Sequence, residues 1–195
     1  MRKAEIKRST LETAIEMKLE LDGSGQCRVD LPGGFFKHML ETICRHGFFD
    51  LELRGQGDVE VDPHHLVEDC GLVLGQALRQ AIGDMRDLER YASVTLPMDE
   101  SLAAVHLDLS GRPCFVFRGR LSGLPVGDFP SSLLADFLQA FSSTLGAALH
   151  VEIFYGRSDH HQIEAVCKAL GRALRRALAP AAVLTGQLPS CKELL

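Results

Sequence analysis

The sequence lacks a hydrophobic run long enough to cross a membrane. Its longest unbroken apolar stretch, residues 177–184, contains Pro180, and a membrane-spanning helix needs about 20 apolar residues. The first twelve residues, MRKAEIKRSTLE, lack the apolar centre that is typical of a signal peptide. These absences predict a cytoplasmic protein that is not inserted in a membrane.

The sequence also lacks closely spaced cysteines and an excess of positive charge. Its six cysteines are at least 17 residues apart, which excludes a CxxC zinc pair and a dense disulfide framework. With 21 basic and 26 acidic residues, the formal net charge is −5, so nucleic acid is not an expected partner. A few local cations are still enough to hold a single phosphate group. The length of 195 residues with 46% apolar residues is typical of one globular domain.

What the sequence does contain is an internal repeat. The segment that begins HHLVE at His64 matches the segment that begins HHQIE at His160, with nine identities in 19 positions at a shift of 96 residues. The repeat predicts a single domain built from two half-domains, approximately residues 1–92 and 93–195. We expect an α+β fold of duplicated strand-helix units, with the helices packed on one face of the sheets.

Hydrophobic periodicity predicts the same order of elements in both halves. Each half reads as strand, helix, strand and then an amphipathic helix that begins at the histidine pair. The predicted strands cover residues 15–21, 49–53, 105–109 and 149–153, and the predicted preceding helices cover 35–46 and 132–143. Asp62 with Pro63 is a helix start signal, and Ser158 or Asp159 can cap the second helix. Both histidine pairs are therefore predicted in a first helical turn.

The spacing HHxxE has a consequence for metal binding. Positions i and i+4 of a helix lie on the same side, whereas position i+1 is rotated by about 100°. His64 can therefore share an ion with Glu68, and His160 with Glu164, while the second histidine of each pair is directed elsewhere. One such motif is usually a capping or solvated feature, but two copies in register favour metal binding. Related by internal symmetry, they could interleave their ligands into two sites.

Several further motifs occur in order along nearly the whole chain. They are RSTLET at residues 8–13, FFKHML at 35–40, RHG at 45–47, GDVEVDPHHLVED at 57–69, PMDE at 97–100, DLSGRP at 108–113, YGRSDHHQIE at 155–164 and PSCK at 189–192. Together they resemble the imidazoleglycerol-phosphate dehydratases of histidine biosynthesis. The resemblance implies halves like domain 2 of ribosomal protein S5, a homo-oligomer of 24 subunits, and two Mn²⁺ ions per active site at subunit boundaries.

The resemblance also implies two ligand sets, which agree with the helix-face argument. One ion would take His38, His65, His160 and Glu164, and the other would take His64, Glu68, His161 and Asp136. The family often has a histidine at position 136, but a carboxylate is a competent ligand for manganese. Asp136 lies 98 residues after His38, so the repeat independently makes the two residues counterparts. A carboxylate in place of an imidazole should make the donor set of that site chemically harder and change its net charge.

The implied reaction is a dehydration of D-erythro-imidazoleglycerol phosphate to imidazoleacetol phosphate. Two cations in contact with the substrate imidazole would stabilise its imidazolate form, which can expel the neighbouring hydroxyl. The hydroxyl needs an acid and the carbon-bound proton needs a base. Glu12 is the first candidate for this work, Glu164 could share it, and His46 and Asp99 are further candidates for which structural roles are equally open.

The substrate phosphate predicts a group of hydrogen-bond donors and cations. The resemblance supplies Arg90, Arg112, Lys168, Ser190 and Lys192. His106 and His150 match no motif, and we interpret them as strand residues without a catalytic role.

The sequence leaves two other functions open. A binuclear metallohydrolase would use the two ions to activate water. A non-catalytic metal-binding paralogue is the second alternative, and it is kept open by three departures from the family pattern, Lys37, Asp136 and Glu193.

Overall fold

The computed structural model describes residues 1–181, 184 and 186–190. The first half of the chain forms β1 (Lys3–Ser9), β2 (Thr13–Glu20), β3 (Cys27–Asp30), α1 (Gly34–Gly47), β4 (Asp50–Gly57) and α2 (His64–Ile82). The second half forms β5 (Tyr91–Met98), β6 (Ser101–Asp108), β7 (Cys114–Arg118), β8 (Pro125–Val126), β9 (Phe129–Pro130), α3 (Leu133–Leu145), β10 (Ala148–Tyr155) and α4 (Asp159–Ala177).

The two four-stranded sheets have the same topology. Their strand orders are β1-β2-β4-β3 and β5-β6-β10-β7. In each sheet the last pair, β3 with β4 or β7 with β10, is parallel and the other pairs are antiparallel. The short β8–β9 hairpin has no counterpart in the first half. This is the α+β fold of duplicated strand-helix units that the sequence predicts.

The predicted elements are confirmed, with boundaries shifted by a few residues. They correspond to the central strands β2, β4, β6 and β10 and to all four helices. Among the strands without a sequence prediction, β1, β3, β5 and β7 lie at the edges of the four-stranded sheets, and β8 and β9 form the short hairpin. An edge strand has fewer neighbours to bury it, so its hydrophobic pattern is weaker.

The helices pack between the sheets and against each other across the two halves. Helix α2 packs on β1 and β2 and also contacts α3, whereas α4 packs on β5 and β6 and also contacts α1. Both helix pairs meet at a glycine. A Cβ atom on Gly171 would lie 2.5 Å from the carbonyl oxygen of Ile43, and one on Gly75 would collide with the carbonyl oxygen of Phe141. The glycines matched in the sequence repeat thus allow equivalent close helix crossings.

Apolar side chains from both halves fill one core. Met17 and Leu53 from the first sheet and Leu78 and Leu138 from the helices are completely buried, and each such side chain contributes about 1.5–3 kcal/mol by its removal from water. No helix in the described part of the chain combines the length and the apolar character needed to span a bilayer.

The two histidine pairs lie in the first turns of α2 and α4, as the sequence predicts. Pro63 is the residue before α2, and the carboxylate of Asp62 accepts the His64 backbone N–H at 2.6 Å. In α4 the Ser158 side chain caps the helix by accepting the backbone N–H of His161. These caps satisfy N–H groups that lack a partner within the helix.

Candidate active site

One group of potential metal ligands is assembled within a single chain. It consists of His38 from α1 with His160 and Glu164 from α4, and we call it the first cluster. One ligand atom from each side chain lies within 4.8 Å of the others, and His160 Nε2 is 3.3 Å from Glu164 Oε2. The ring of Phe35 packs edge-on against His160 with 5.0 Å between the ring centroids. Two imidazoles and a carboxylate are suitable donors for a divalent transition metal.

Glu164 is the buried member of the first cluster. The residue is 8% exposed, and its Oε1 atom lies 2.8 Å from Lys168 Nζ, one helical turn further along α4. Burial alone would raise the pKa of Glu164, but the hydrogen bond and charge of Lys168, assisted by His38 and His160, outweigh burial and lower it. The carboxylate is therefore ionised and can act as a metal ligand.

A second group lies where α2 meets α3. It consists of His64 and Glu68 from α2 with Asp136 from α3, and we call it the second cluster. His64 Nε2 is 3.9 Å from Glu68 Oε2, and His64 Nδ1 is 3.9 Å from Asp136 Oδ2. The three side chains are 41–48% exposed. Their arrangement is therefore more open than that of the first cluster.

His65 is turned away from His64, and its contacts are with acidic side chains. Its Nδ1 atom lies 3.1 and 3.2 Å from the two carboxylate oxygens of Asp58. Glu12 Oε2 is 3.9 Å from the same nitrogen. The hydrogen bond that His65 donates to Asp58 raises the pKa of His65; desolvation opposes this shift in part, and the charge of Glu12 supports it.

His161 has a similar acidic environment at the start of α4. Its Nδ1 atom is 2.7 Å from Glu100 Oε2, and its Nε2 atom is 3.5 Å from Asp99 Oδ2. The hydrogen bond with His161, supported by backbone N–H groups that include those of Ser158 and Arg157, lowers the pKa of Glu100 to about 2. Glu100 is therefore a carboxylate that accepts hydrogen bonds both from an imidazole and from backbone N–H groups.

The turn that carries Glu12 is held by a buried polar network. Asp69 of α2 accepts a hydrogen bond from Arg8 Nε at 2.9 Å and another from the Thr13 hydroxyl. The hydroxyl of Thr10 accepts the backbone N–H groups of Glu12 at 3.1 Å and Thr13 at 2.9 Å. The backbone of the turn is thus fixed, while the Glu12 side chain stays 54% exposed. Its carboxylate can still reach a partner outside the turn.

The candidate phosphate-binding residues lie in different surroundings. Arg90 is buried and forms an ion pair with Asp108 at 2.7 Å, and its Nη1 donates to the Pro189 carbonyl, next to Ser190. Lys168 contacts Glu164 of the first cluster. Arg112 is exposed in the loop between β6 and β7. Lys192 lies outside the described residues, as does Glu193.

His46 and Lys37 both lie on α1 but outside the first cluster. His46 lies against Gly171 of α4, and desolvation together with the charges of Lys168 and Arg172 lowers its pKa. Lys37 lines a groove with Asp30 and Glu41 beside β3. Its charge can therefore be balanced by those carboxylates.

Comparison with known proteins identifies the family of this chain. The sequence model described as Imidazoleglycerol-phosphate dehydratase matches residues 32–174. The chain is 48% identical over 195 residues to the imidazoleglycerol-phosphate dehydratase of Xanthobacter autotrophicus, with 100% of this chain and 99% of the relative covered. It is 49% identical to that of Desulfitobacterium hafniense, with 91% of each chain covered. The chain belongs to the imidazoleglycerol-phosphate dehydratase family.

Solved structures of the family have the same fold. The structure of the imidazoleglycerol-phosphate dehydratase from Staphylococcus aureus matches with a TM-score of 0.83 and 34% identity, and covers 91% of this chain and 99% of that one. The structure from Pyrococcus furiosus, in complex with (S)-C348, matches with a TM-score of 0.84 and 29% identity, and covers 97% of this chain and 100% of that one. The predicted family, fold class and lyase class are confirmed.

The structure assembles three of the four ligands expected for one ion, His38, His160 and Glu164. In the other set His64 faces Glu68 with Nε2 and Asp136 with Nδ1, so the three residues are neighbours but do not present their ligand atoms to one point. The first cluster lacks His65 and the second cluster lacks His161. Within the described residues, these two histidines instead contact Asp58 and Glu100. Both complete ligand sets therefore stay predictions, as do the catalytic and phosphate-binding assignments.

Two carboxylates near the histidine pairs have no assigned role in the sequence analysis. Asp58 lies in the motif that precedes α2, and Glu100 is the last residue of PMDE. One signal in the sequence could have identified Glu100. It directly precedes β6, as Glu12 directly precedes β2, so the two glutamates occupy corresponding turns of the two halves.

Proposed function

We propose that this chain converts D-erythro-imidazoleglycerol phosphate to imidazoleacetol phosphate and uses two divalent metal ions, Mn²⁺ or another divalent metal. The observation that carries the proposal is the first cluster, in which His38, His160 and Glu164 are assembled in a chain that belongs to the dehydratase family. The second cluster supplies a further imidazole and two carboxylates.

The residues present fit such ions. The first cluster has two imidazoles and one ionised carboxylate within reach of a single cation. The second has one imidazole and two carboxylates, which lie at opposite nitrogens of His64, so side-chain rotation would be needed to bring them to one ion. Nitrogen and oxygen donors of this kind suit Mn²⁺ and neighbouring divalent metals. When bound, the ions would supply the positive charge that stabilises the anionic form of the substrate imidazole.

The fourth ligand of each ion comes, in this proposal, from another copy of the chain. His65 would join the first cluster of a neighbour, and His161 would join the second. Support comes from the positions of both histidines, which are half-buried in first helical turns and contact carboxylates outside the two clusters. Such an exchange makes a homo-oligomer necessary for activity and agrees with a 24-subunit assembly that has its sites at subunit boundaries.

Glu12 would transfer a proton during the dehydration. Its backbone is fixed by Thr10 and its carboxylate is exposed, 3.9 Å from His65 Nδ1. Because of this proximity, Glu12 would enter a neighbour's site together with His65. Glu164 could assist beside the first ion, and His46 and Asp99 stay as further candidates for proton transfer or for structural roles.

The substrate phosphate would be bound by Arg90, Arg112, Lys168, Ser190 and Lys192. Lys168 supports this assignment because its ammonium group lies directly beside the first cluster. Arg90 would act near Ser190, since it holds the neighbouring Pro189 carbonyl at 2.6 Å. Guanidinium and ammonium groups are well suited to a phosphate dianion.

We also propose that the two halves, approximately residues 1–92 and 93–195, are duplicated units of one domain. The matched sheet orders and the equivalent crossings at Gly75 and Gly171 support this division. The shared core argues against independent domains, because α2 packs on α3 and α4 packs on α1.

A turnover assay tests the proposed function. The purified protein is stripped of metal, reloaded with Mn²⁺ and incubated with imidazoleglycerol phosphate. We expect an alkali-sensitive ketone to form without release of inorganic phosphate, and only after reloading. Phosphate release would indicate a metallohydrolase instead. Failure to consume the substrate in a fully metal-loaded, assembled sample would support a non-catalytic paralogue.

A further inference from the structure

The second histidine of each pair is held by a carboxylate that comes from outside its own helix. Glu100, in the turn between β5 and β6, lies 2.7 Å from His161 Nδ1. Asp58, in the loop before α2, lies 3.1 Å from His65 Nδ1. In both cases the contact is made by the ring nitrogen nearer the backbone. Nε2 is therefore the nitrogen at the far end of each ring.

Glu100 uses its two oxygen atoms for different partners. Oε1 accepts the backbone N–H groups of Ser158 at 3.0 Å and Arg157 at 3.2 Å, as well as the hydroxyl of Ser101 at 3.3 Å. Oε2 is left for His161. The backbone contacts connect the β5–β6 turn to the start of α4, so the carboxylate is fixed before it meets the imidazole.

The carboxylate also selects the tautomer of the ring. An ionised carboxylate can only accept hydrogen bonds, so Nδ1 of the facing imidazole must carry the proton. In a neutral ring Nε2 then carries the lone pair, which is the form that ligates a metal. At His161 that nitrogen lies 3.5 Å from Oδ2 of the exposed Asp99 side chain. Carboxylates in this arrangement hold the ring orientation of metal-bound histidines and increase their basicity.

We propose that Glu100 and Asp58 are positioning residues that present Nε2 of His161 and His65 as metal ligands. The inference rests on the proposed function, since it assumes that both histidines bind ions. Glu100 is the stronger of the two because backbone donors fix it, whereas Asp58 shares both oxygens with one ring nitrogen at 3.1 and 3.2 Å.

The Glu100→Gln variant separates this role from a structural one. The amide oxygen can still accept the backbone N–H groups of Arg157 and Ser158, so the connection to α4 is kept. The amide nitrogen would then face His161 Nδ1 and, as a donor, favour the tautomer with the proton on Nε2. That tautomer cannot bind a metal through Nε2.

The measurement is manganese binding to the full-length, assembled protein, with free Mn²⁺ followed by its electron paramagnetic resonance signal. We expect two ions per chain in the wild type. In Glu100→Gln one ion should bind about 10- to 100-fold more weakly while the other keeps its affinity. Asp58→Asn should weaken the other ion by a smaller factor. Glu5→Gln, an exposed change of the same type on β1, is the matched control and should leave both affinities unchanged.

The other outcomes distinguish the inference from the function on which it rests. Wild-type affinity for both ions in Glu100→Gln would overturn the positioning role and leave the proposed function intact. Equal loss of both ions, together with a lower melting temperature of the metal-free protein, would show that Glu100 is structural and would also overturn the inference. A wild-type protein that binds fewer than two ions would overturn the dinuclear site itself.

Discussion

The two clusters come from equivalent helix pairs, yet they are assembled to different degrees within one chain. The first, where α1 meets α4, contains a buried carboxylate, and its three ligand atoms lie within 4.8 Å of one another. In the second, where α3 meets α2, His64 is 3.9 Å from each carboxylate and all three side chains are 41–48% exposed. Equivalent crossings at Gly171 and Gly75 bring the helices together in both places. The side chains around each crossing, rather than the backbone, therefore determine how preorganised the site is.

The two corresponding turns show the same divergence. Glu12 and Glu100 each directly precede the second strand of their half. Glu100 is held by His161 and by two backbone N–H groups, whereas the Glu12 carboxylate is 54% exposed and 3.9 Å from His65 Nδ1. Glu100 is thus fixed in place, whereas the Glu12 carboxylate stays accessible for the proton transfer that we propose. Duplication supplied two similar turns, and their different contacts allow two different roles.

The largest effect should come from removal of a ligand of the preorganised cluster. His160→Ala leaves His38 and Glu164 with no third ligand from this chain. We expect turnover to fall by more than about 100-fold, because loss of even an indirect partner of a metal ligand typically costs 10- to 100-fold. The bound manganese should fall from two ions to one per chain, as measured by elemental analysis after dialysis.

His64→Ala removes the imidazole of the second, more open cluster, and His106→Ala serves as the control. His106 is exposed on the outer face of β6 and bonds to Ser93, so its removal should leave turnover and metal content unchanged. Wild-type manganese content in His160→Ala would contradict the assignment of the first cluster as a metal site.

An effect of similar size on turnover, but without loss of metal, is expected from a change in one of the two turn glutamates. Glu12→Gln removes a proton-transfer group, so kcat should fall by about 10²- to 10⁴-fold while KM and metal content stay close to the wild type. Glu100→Gln should instead lower the metal content. Kinetics combined with metal analysis would separate the two roles. A loss of manganese in Glu12→Gln would remove the distinction between the two turns.

The central part of the fold could be predicted from the sequence because its pattern is strong. Strands β2, β4, β6 and β10 each pair with neighbours on both sides, and their alternating apolar residues reflect burial by the helices. Strand β1, by contrast, exposes Lys3, Glu5 and Lys7 on one face. Its opposite face buries only Ala4 and Ile6, so the alternation is short and contains few apolar residues. Strands β3 and β7 pair across an intervening helix, with β4 and β10, so their pairing depends on segments that are distant in sequence.

The candidate site was predictable where the residues share a helix or a repeat position. His64 and Glu68 follow from helical spacing, and the repeat connects Asp136 with His38. The contacts of Asp58 and Glu100 depend on where two loops end in space, and local sequence patterns do not encode that distance. The ion pair between Lys168 and Glu164, by contrast, follows from helical spacing.

Exchange of a single ligand tests whether donor type contributes to the difference between the clusters. Asp136→His gives the second cluster two imidazoles and one carboxylate, the same donors as the first. Because imidazole suits zinc better than carboxylate does, the preference for Zn²⁺ over Mn²⁺ at one ion should rise by about tenfold. Competition between the two metals, followed by elemental analysis, measures this shift. An unchanged metal ratio would mean that Asp136 is not a ligand.

The smallest effect concerns how the helices of the clusters begin. Helix α4 is capped by its own Ser158, whereas the first turn of α1 depends on Asp128 from the β8–β9 hairpin, which accepts the backbone N–H groups of Gly34 at 2.6 Å and Phe35 at 3.2 Å. Asp128→Ala should lower the free energy of unfolding by about 1 kcal/mol, a typical value for a lost cap. Denaturant unfolding at neutral pH would measure it, and Asp30→Ala at the exposed end of β3 is the control.

The effect of Asp128→Ala should depend on pH in a defined direction. The hydrogen bond from Gly34, with a smaller one from Phe35, outweighs desolvation and lowers the pKa of Asp128 in the folded protein. A carboxylate with a lowered folded pKa stabilises the protein above its unfolded pKa of about 4, and this contribution is lost as the pH falls through the folded value. The difference between wild type and variant should therefore be full at pH 7 and shrink below about pH 4. A constant difference over that range would show that the carboxylate charge does not hold the start of α1.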